Sequence, residues 1–408
     1  MSKKLKNYNV LVKALDNFSL VSLDINVLNK KGENVFKKIK ESSAKIFYDP
    51  YLSFIEENKT PFTLKTYNTA KNWKGTIEYS LDTQNWNEWN GTEISSSNDG
   101  KLYLRGTENA AITGDGAYEK YFVLSAGKKI QCIGNIETLL DYKTVVAGNH
   151  PTMAKECFLF LFKECASLTK APELPATTLS EGCYQNMFID CASLTEAPEL
   201  PATTLAKYCY FNMFDRTALK KAPELPATTL AEYCYSNMFD RTLITEAPEL
   251  PATTLAKDCY RGLFQNCKYL TKAPKLPAIT LTSGCYAYMF SGCTALDDPP
   301  ELPATTLAGE CYKGMFSGCT RLNRAPQLPV TTLANSCYGS MFSGCTALTV
   351  APELPATTLM NGCYTYMFKG CASLTGQIHC PASTASDSNR LDLRAQIPAN
   401  TATVVYDL

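Results

Sequence analysis

The sequence Cys183-Tyr-Gln-Asn-Met-Phe-Ile-Asp-Cys191-Ala-Ser-Leu-Thr-Glu-Ala-Pro-Glu-Leu-Pro-Ala-Thr-Thr-Leu205 recurs with few changes between residues 157 and 375, mostly at intervals of 26 residues. A fixed period of this length is typical of a solenoid, in which each repeated unit buries its apolar side chains against its neighbours. The sequence therefore predicts a solenoid of nine copies. Copies one to nine open at Cys157, Cys183, Cys209, Cys234, Cys259, Cys285, Cys311, Cys337 and Cys363.

Each copy has two halves with different patterns. If the opening Cys is position zero, apolar residues occupy positions zero, one, four and five, as in Cys337, Tyr338, Met341 and Phe342. This spacing predicts a short helix with one apolar face. The second half, residues 194–201 in copy two, contains two prolines, which exclude a helix and favour a very short strand and an extended arc.

The variable positions of the repeat are candidates for a binding surface. Positions two and three differ between copies, and we expect them to face solvent. A binding surface would use these positions or the tyrosine column beside them. Positions two and three include Phe211, Asn212, Arg261, Gly262, Ala287, Tyr288, Thr365 and Tyr366.

The repeated phrase also resembles a known family. The residues Met341-Phe342-Ser-Gly-Cys345-Thr-Ala-Leu348, followed by Leu354-Pro355, resemble the BspA-type leucine-rich repeat, which has an aromatic residue, then x-x-Cys-x-x-Leu, then a proline-containing stretch. The resemblance covers about 220 of the 408 residues. It implies a leucine-rich-repeat-type solenoid used for surface display and adhesion, on bacterial cells and on phage particles.

The predicted fold is mixed and β-rich, with four parts. Residues 1–60 form an N-terminal anchoring region, 61–142 a β-sandwich-like domain, 143–375 the solenoid of short strands and short helices, and 376–408 a C-terminal cap. The β-domain is predicted from several short segments of β-forming residues separated by turn residues. It is similar to a module that precedes such repeats in phage and gut-bacterial proteins.

The anchoring region has two interpretations. Residues 33–47 have helical spacing and carry several lysines on one face. This helix is either part of an anchor that docks to a larger assembly or an ordinary solvated helix of a small domain.

Composition restricts the classes of partner. The formal net charge is zero, which gives no support for nucleic-acid binding. The sequence contains no apolar run of about 18 residues, so no membrane span is predicted. The start of the chain is not a convincing signal peptide and lacks a lipid-attachment cysteine, so we expect no conventional export signal.

The 18 cysteines are predicted to be mainly buried, reduced thiols. In most copies they occupy positions zero and eight, which a helix would separate by roughly 12 Å, beyond disulfide reach. Copies three and four read Asp215-Arg216-Thr217 and Asp240-Arg241-Thr242 where the second Cys is expected, and each is one residue short. We expect an altered turn there within an unbroken stack. Disulfides within a copy and metal sites are weaker alternatives, since the chain has two histidines and no Cys-x2-Cys spacing.

No catalytic, cofactor-binding or metal-ligating constellation is predicted, and the protein is not expected to be an enzyme. The recurring glutamates belong to the repeated phrase, whereas a catalytic residue is needed only once. The sequence Ser80-Leu-Asp82-Thr-Gln-Asn-Trp86 partly resembles an Asp-box hairpin, which is usually a folding element. The tryptophans are either core residues or surfaces that stack on sugar rings. The candidate contacts with a glycan or partner are Trp73, Trp86, Trp89, Tyr288 and Tyr366.

These observations predict a non-enzymatic virion structural protein of a tailed phage: a fibre, a decoration protein or a tail-associated adhesin. It would be made in the host cytoplasm and attached to other virion proteins through residues 1–60. Candidate partners are a host-surface glycan or protein, and the resemblance implies a homo-oligomer, with a trimer as the first guess. The alternatives are a bacterial cell-surface adhesin that binds host protein or glycan, and an intracellular scaffold.

Overall fold

The computed structural model describes residues 50–67, 73–113, 121–381, 397 and 402–407. The predicted helix at 33–47 lies outside the described residues, as does most of the anchoring region. In the described part of the chain no helix is long and apolar enough to cross a membrane.

The β-domain consists of two sheets that contribute to one hydrophobic core. Their strands are β1 (Leu52–Glu56), β2 (Thr63–Tyr67), β3 (Thr76–Ser80), β4 (Asn87–Glu88), β5 (Ile94–Ser95), β6 (Lys101–Thr107), β7 (Val123–Ala126), β8 (Ile130–Ile133) and β9 (Leu168–Lys170). The larger sheet has the order β4-β3-β6-β1-β8-β9, and the smaller has the order β5-β2-β7. Side chains alternate between buried and half-exposed along β6, because one face of this strand packs on the core.

The larger sheet extends beyond both predicted limits of the β-domain. β1 lies within the predicted region 1–60, yet it pairs with β6 and β8 in the middle of the sheet. β9 belongs to copy one of the repeat and pairs in parallel with β8, with Leu168 opposite Ile130. The sheet therefore passes directly from the β-domain into the solenoid, and the two share one core.

A single helix, α1 (Thr138–Val146), is present among the described residues and connects the β-domain to the solenoid. It is interrupted at Asp141, whose φ and ψ are −154° and 99°. The Asn135 side-chain oxygen accepts a hydrogen bond of 2.8 Å from the amide of Glu137, which satisfies one donor at the start of α1.

The predicted helices of the nine copies are wrong: the segment from position minus one to position eight is a series of tight turns. Amides at even positions donate to the carbonyl three residues earlier, as from Met187 to Tyr184 at 3.2 Å. Amides at odd positions donate instead to the next copy, as from Tyr184 to Cys209 at 3.0 Å. Five such bonds cross each of the eight interfaces between copies, all in the same direction. We call this segment the turn ladder.

The turn ladder requires a residue in the left-handed backbone conformation at every fourth position. Positions minus one, three and seven have positive φ in all nine copies, as at Gly182, Asn186 and Asp190, with φ values of 60°, 55° and 62°. Glycine, asparagine and aspartate tolerate this conformation best and occupy 15 of these 27 sites. An α-helix has no such positions, so this pattern is incompatible with the predicted helix.

The interior of the solenoid contains two continuous columns of stacked rings. The Phe rings at position five lie 5.6 to 5.9 Å apart, as for Phe162 and Phe188 or Phe342 and Phe368. The rings at position one lie 5.7 to 6.2 Å apart and are buried, so the tyrosine column does not provide the alternative binding surface. These tyrosines are core residues because positions zero and one point inward together.

The cysteines are free and buried thiols. At position eight the thiol donates to a carbonyl of the preceding copy, as from Cys191 Sγ to the Phe162 oxygen at 3.0 Å. Burial raises the pKa of Cys267 and Cys319 to about 12. The second Cys therefore acts as a hydrogen-bond donor between layers.

The two short copies keep position eight, so the expected altered turn at residues 215–217 is wrong, whereas the expected unbroken stack is confirmed. Thr217 and Thr242 occupy the place of the thiol and are buried, and each hydroxyl donates to the position-five carbonyl of its own copy at 2.9 Å. The turn at residues 215–217 keeps the hydrogen bonds found at residues 291–293. The missing residue lies just after position eight, and the Phe column continues unbroken.

The proline-containing halves form little regular sheet. β9 of copy one pairs with β8 of the β-domain. Neighbouring copies are joined in these halves by isolated parallel bridges, such as Thr178 with Thr204 and Glu246 with Lys272. Proline removes amide donors, so a continuous ladder cannot form. After copy nine, β10 (Gly376–Pro381) pairs in parallel with β11 (Ala402–Asp407), and the carbonyl of His379 accepts from the Leu354 amide at 3.3 Å. This places β10 against the last layers.

The left-handed sites can be tested within copy eight. Gly344 has φ of 76°, whereas Gly339 is outside the positive-φ region, and a Cβ would meet no atom closer than 3.4 Å at either site. We expect Gly344→Ala to lower the free energy of unfolding by about 1–2 kcal/mol, because an L-residue is strained there. Gly339→Ala should be neutral or slightly stabilising. Urea unfolding measures both. A helix would be stabilised by both changes, so equal stabilisation would contradict the turn ladder.

The ring columns predict a large local cost for Phe342→Ala. Phe342 is fully buried and stacks at 5.8 and 5.9 Å on Phe316 and Phe368. We expect a loss of about 3–5 kcal/mol, since the substitution leaves a cavity. Hydrogen exchange should accelerate in copies seven to nine before it accelerates in the β-domain. Ser343→Ala, one residue away, is the control. Uniform acceleration over the chain would show that the copies do not behave as neighbouring units.

Candidate recognition surface

The side chains that differ most between copies lie at positions minus one, two, three, six and seven of the turn ladder. In copies seven and eight these sites carry mostly small residues, including Gly314, Gly318, Ser340 and Gly344. In copies three to six they carry aromatic and charged residues. The surface therefore changes along the solenoid although its backbone does not.

The first feature of copies three to six is a row of rings and cations that we call the aromatic–cation strip. Tyr208 and Tyr233 are stacked at 4.9 Å, and Phe211 contacts Tyr208 edge to face at 5.7 Å. The Lys207 ammonium lies 5.2 Å from the Tyr208 ring, within the range of a cation–π interaction. The strip consists of Lys207, Tyr208, Phe211, Tyr233, Lys257, Asp258, Arg261 and Tyr288.

Arg261 connects Asp258 to Tyr288 at the end of the strip in copies five and six. Its guanidinium lies 4.9 Å from the Tyr288 ring and 3.5 Å from the Asp258 carboxylate. Partial burial is the main cause that raises the pKa of Tyr233 to about 12, and a hydrogen bond with the Asp258 carboxylate raises it further. The tyrosine is therefore a neutral hydrogen-bonding group throughout the physiological pH range.

Glycines in the next copy make room for the strip. A Cβ on Gly314 would lie 2.5 Å from the Tyr288 ring, and a Cβ on Gly284 would lie 2.2 Å from the Asp258 carboxylate. Because Tyr288 and Asp258 lean over these glycines, their side chains are held in place by the following layer.

The second feature is a ladder of ionic groups at positions six and seven, which we call the ion ladder. Arg216 forms a bidentate pair with Asp190 of the preceding copy and lies 3.1 Å from Asp215. Arg241 in turn lies 3.4 Å from Asp215 and 3.3 Å from Asp240. Asn266 Nδ2 donates to Asp240 at 3.0 Å and ends the ladder.

Two carboxylates of the ion ladder are unusually buried. Asp215 and Asp240 are 5% and 6% exposed. Desolvation, and then repulsion from Asp240, raise the pKa of Asp215 from 3.8 to about 6, against the lowering effect of Arg216 and Arg241. Desolvation also raises the pKa of Asp240. The arginines are half-exposed and therefore compensate these charges only in part.

The structure places two of the three candidate tryptophans in the core. Trp73 and Trp89 are 3% and 2% exposed, stack on each other at 5.6 Å and contact Phe122. Of the two interpretations, core residue or sugar-stacking surface, the structure confirms the core for these two tryptophans, because they fill the β-domain interior. Trp86 is half-buried, and its ring lies under the Arg105 guanidinium at 3.9 Å.

The segment resembling an Asp-box forms the turn between β3 and β4. The Asp82 carboxylate accepts from the amides of Gln84 and Asn85 at 2.9 and 2.8 Å, and these bonds lower its pKa. Thr83 has φ of 65°. These contacts close the hairpin, in agreement with a folding role for the motif.

The solenoid candidates Tyr288 and Tyr366 lie in different parts of the surface. Tyr288 belongs to the strip, whereas Tyr366 is 49% exposed in copy nine with Lys369 at 5.0 Å. Not every variable position faces solvent: Ala287 at position two is fully buried, and Gly262 at position three is also buried. The expectation for these two residues was therefore wrong.

Sequence reasoning missed most of the strip. Tyr208 and Tyr233 lie at position minus one, directly before the opening Cys. The helical interpretation predicted solvent exposure only for positions two and three. The available signal was that a tyrosine occupies this site only in copies three and four, which are also the copies with the shortened loop.

The strip and the ion ladder together offer stacking faces, cationic donors and anionic acceptors on one rigid scaffold. Aromatic faces bind apolar or cationic groups, and charged side chains fix polar groups around them. Comparisons of the chain with protein-family models, with curated proteins and with solved structures found no match.

The ion ladder predicts a pH dependence of stability. Because the pKa of Asp215 is higher in the folded state than in the unfolded state, the folded state binds the proton more tightly. The contribution of Asp215 to the free energy of unfolding should therefore fall by about 2 kcal/mol as pH rises from about 4 to 6, and Asp215→Asn should remove this contribution from the pH dependence. Urea unfolding across this pH range measures it. Asp298→Asn, which removes an exposed partner of Arg324, is the control. An identical pH dependence in the wild type and Asp215→Asn would contradict the assignment.

Proposed function

We propose that the protein is a non-enzymatic virion structural protein of a tailed phage, a fibre, decoration protein or tail-associated adhesin, whose solenoid recognises the host surface. The observation that carries the proposal is the aromatic–cation strip on copies three to six. It combines side chains that differ between copies with a backbone that is the same in all copies. Such an arrangement suits recognition, because a rigid scaffold can hold varied contacts.

The rigidity of the strip favours binding. Its side chains start from a backbone that is hydrogen-bonded to both neighbouring layers, and Tyr208 and Tyr233 already stack on each other. Little conformational entropy is lost when such groups bind a partner. The strip is therefore pre-organised.

The chemistry of the strip favours a glycan as the host-surface partner, with a protein as the second possibility. Ring faces of Tyr208, Tyr233 and Tyr288 can stack on the apolar faces of sugar rings. Lys257, Arg261 and the ion ladder can form hydrogen bonds with hydroxyl or acidic groups. The strip follows four successive copies, which suits an extended chain of sugars.

Display on a particle is supported by the resemblance of the repeat to the BspA-type family. It is also supported by the order of the chain, in which residues 1–142 all precede the solenoid. In this proposal residues 1–60 attach the protein to other virion proteins. Assembly as a homo-oligomer, with a trimer as the first expectation, belongs to the same proposal.

The location is tested by mass spectrometry of phage particles purified from a culture that produces the protein. The proposal expects peptides of the protein at a constant ratio to capsid peptides through successive purification steps. Their absence from particles, with recovery from the bacterial cell surface, would favour the alternative of a cell-surface adhesin.

Recognition is tested with the double variant Tyr208→Ala, Tyr233→Ala. We expect binding of the full chain to host cells to weaken by about tenfold or more, since each lost ring removes a stacking contact of about 0.5–1.5 kcal/mol. The control is Tyr269→Ala, which removes a ring that is 57% exposed and lies outside the strip. Unchanged binding by the double variant, or equal weakening by the control, would refute recognition through the strip.

A further inference from the structure

The charged groups of copy five bear on the class of glycan that the aromatic–cation strip can bind. Lys257, Asp258 and Arg261 all belong to this copy and to the strip. The Lys257 side chain is exposed, and that of Arg261 is 34% exposed. Asp258 is only 7% exposed, so a partner has better access to the two cations than to the carboxylate.

The Asp258 carboxylate is occupied by neighbouring groups of the protein. The Tyr233 hydroxyl forms a hydrogen bond with it, and Arg261 Nη1 lies 3.5 Å from its Oδ1 atom. A Cβ on Gly284 would lie 2.2 Å from the same oxygen, so copy six also packs closely against this carboxylate. Asp258 therefore connects parts of the strip and is not the group that receives a partner.

Arg261 is held in place, but its hydrogen-bond donors are unused. The ion pair with Asp258 and the contact with the Tyr288 ring at 4.9 Å restrict the movement of the guanidinium. None of its N–H groups donates a hydrogen bond to a described residue. A guanidinium carries five N–H donors in a planar fork that matches the two oxygens of a carboxylate. Arg261 is therefore positioned to receive a carboxylate from a partner.

Lys257 is the cation of the strip that no carboxylate balances. It forms no ion pair in the described part of the chain, whereas Lys207 is paired with Glu232 at 2.9 Å. When Glu232 is counted with Lys207, and Asp258 with Arg261, the strip retains one positive charge, that of Lys257. The formal net charge of the whole chain is zero, so this excess is local.

These two cations suit a sugar that carries a carboxylate better than a neutral sugar. Charge-assisted hydrogen bonds are roughly twice as strong as neutral ones, and a guanidinium can donate two of them to one carboxylate. A neutral sugar would leave the charge of Lys257 unbalanced. An acidic peptide would balance it, but its side chains lack the apolar ring face that the tyrosines of the strip can cover. The strip therefore favours an acidic glycan over both.

On the basis of the proposed recognition through the strip, we propose that its glycan is acidic, with the carboxylate of a uronic acid bound by the Arg261 guanidinium and the Lys257 ammonium. Tyr208 and Tyr233 contribute stacking to any sugar, whether neutral or acidic. Arg261 and Lys257 set the preference between the two classes. Loss of binding and loss of preference are therefore separate results.

The test uses the full chain and two matched pairs of free sugars, glucuronate with glucose and galacturonate with galactose. Within each pair, one sugar carries a carboxylate where the other carries a hydroxymethyl group. Saturation-transfer NMR detects binding, and titration gives the affinities. We expect at least one acidic sugar to bind about tenfold more tightly than its neutral partner, and to lose this advantage at high salt.

Variants of the two cations test the assignment. Arg261→Gln and Lys257→Gln should each reduce the preference for the acidic sugar and leave the affinity for the neutral sugar unchanged. Arg261→Lys should also reduce it, because an ammonium lacks the planar fork. A merely structural role would weaken both members of a pair equally. The control is Arg321→Gln, which removes a largely exposed arginine outside the strip and should change neither affinity.

The possible failures of the two proposals are distinct. Equal affinity for both members of each pair, with binding lost in the double variant Tyr208→Ala, Tyr233→Ala, would overturn the acidic preference and leave recognition through the strip intact. Binding of none of the four sugars would overturn the preference too, as would a preference that survives Arg261→Gln and Lys257→Gln. A triglutamate peptide that binds as tightly as the acidic sugars would overturn the choice of a glycan.

Discussion

The solenoid depends on one backbone constraint: every second amide of the turn ladder must donate to the next copy. This alternation is possible only if the chain turns every four residues, and each turn needs a residue with positive φ. The same geometry sends positions zero, one, four, five and eight inward. The ring columns, the buried thiols and the outward variable positions all follow from it.

The constraint also explains why the β-domain and the solenoid share a core. Since the bonds between copies all point the same way, copy one presents carbonyls that no earlier copy can satisfy. The β-domain supplies donors: the Ile112 amide bonds to the Cys157 carbonyl at 2.9 Å, and the Leu124 amide bonds to the Leu161 carbonyl at 2.7 Å. The β-domain thus completes the hydrogen bonding of the first layer, and β9 continues its sheet.

The repeat, its number of copies and its inward residues could be predicted from the sequence, but the local backbone could not. Apolar residues at positions zero, one, four, five and eight fit a period of 3.6 almost as well as a period of four. Glycine and asparagine at positions minus one, three and seven were the distinguishing signal. It was masked because residues such as Phe160, Arg216 and Tyr233 also adopt positive φ when the neighbouring layers hold them.

The candidate sites were less predictable, because they depend on contacts between copies. Tyr288 was identified as a variable aromatic, but its pairing with Arg261 of the preceding copy was not. For Trp73 and Trp89 the sequence left a core position and a sugar-stacking surface open, since an aromatic residue in a β-domain fits both, and the structure confirms the core position.

The interior does not specify the order of the copies, because the same rings and thiols recur in each. A chain that skipped one copy while folding would still stack Phe on Phe and Tyr on Tyr. The surface supplies the missing information: one column of the proline-containing half alternates in charge along the stack, so omission of a copy would place like charges side by side. The strip depends on this order, since Tyr208 must adjoin Tyr233, and Arg261 must adjoin Tyr288. The column consists of Lys170, Glu196, Lys221, Glu246, Lys272, Asp298 and Arg324.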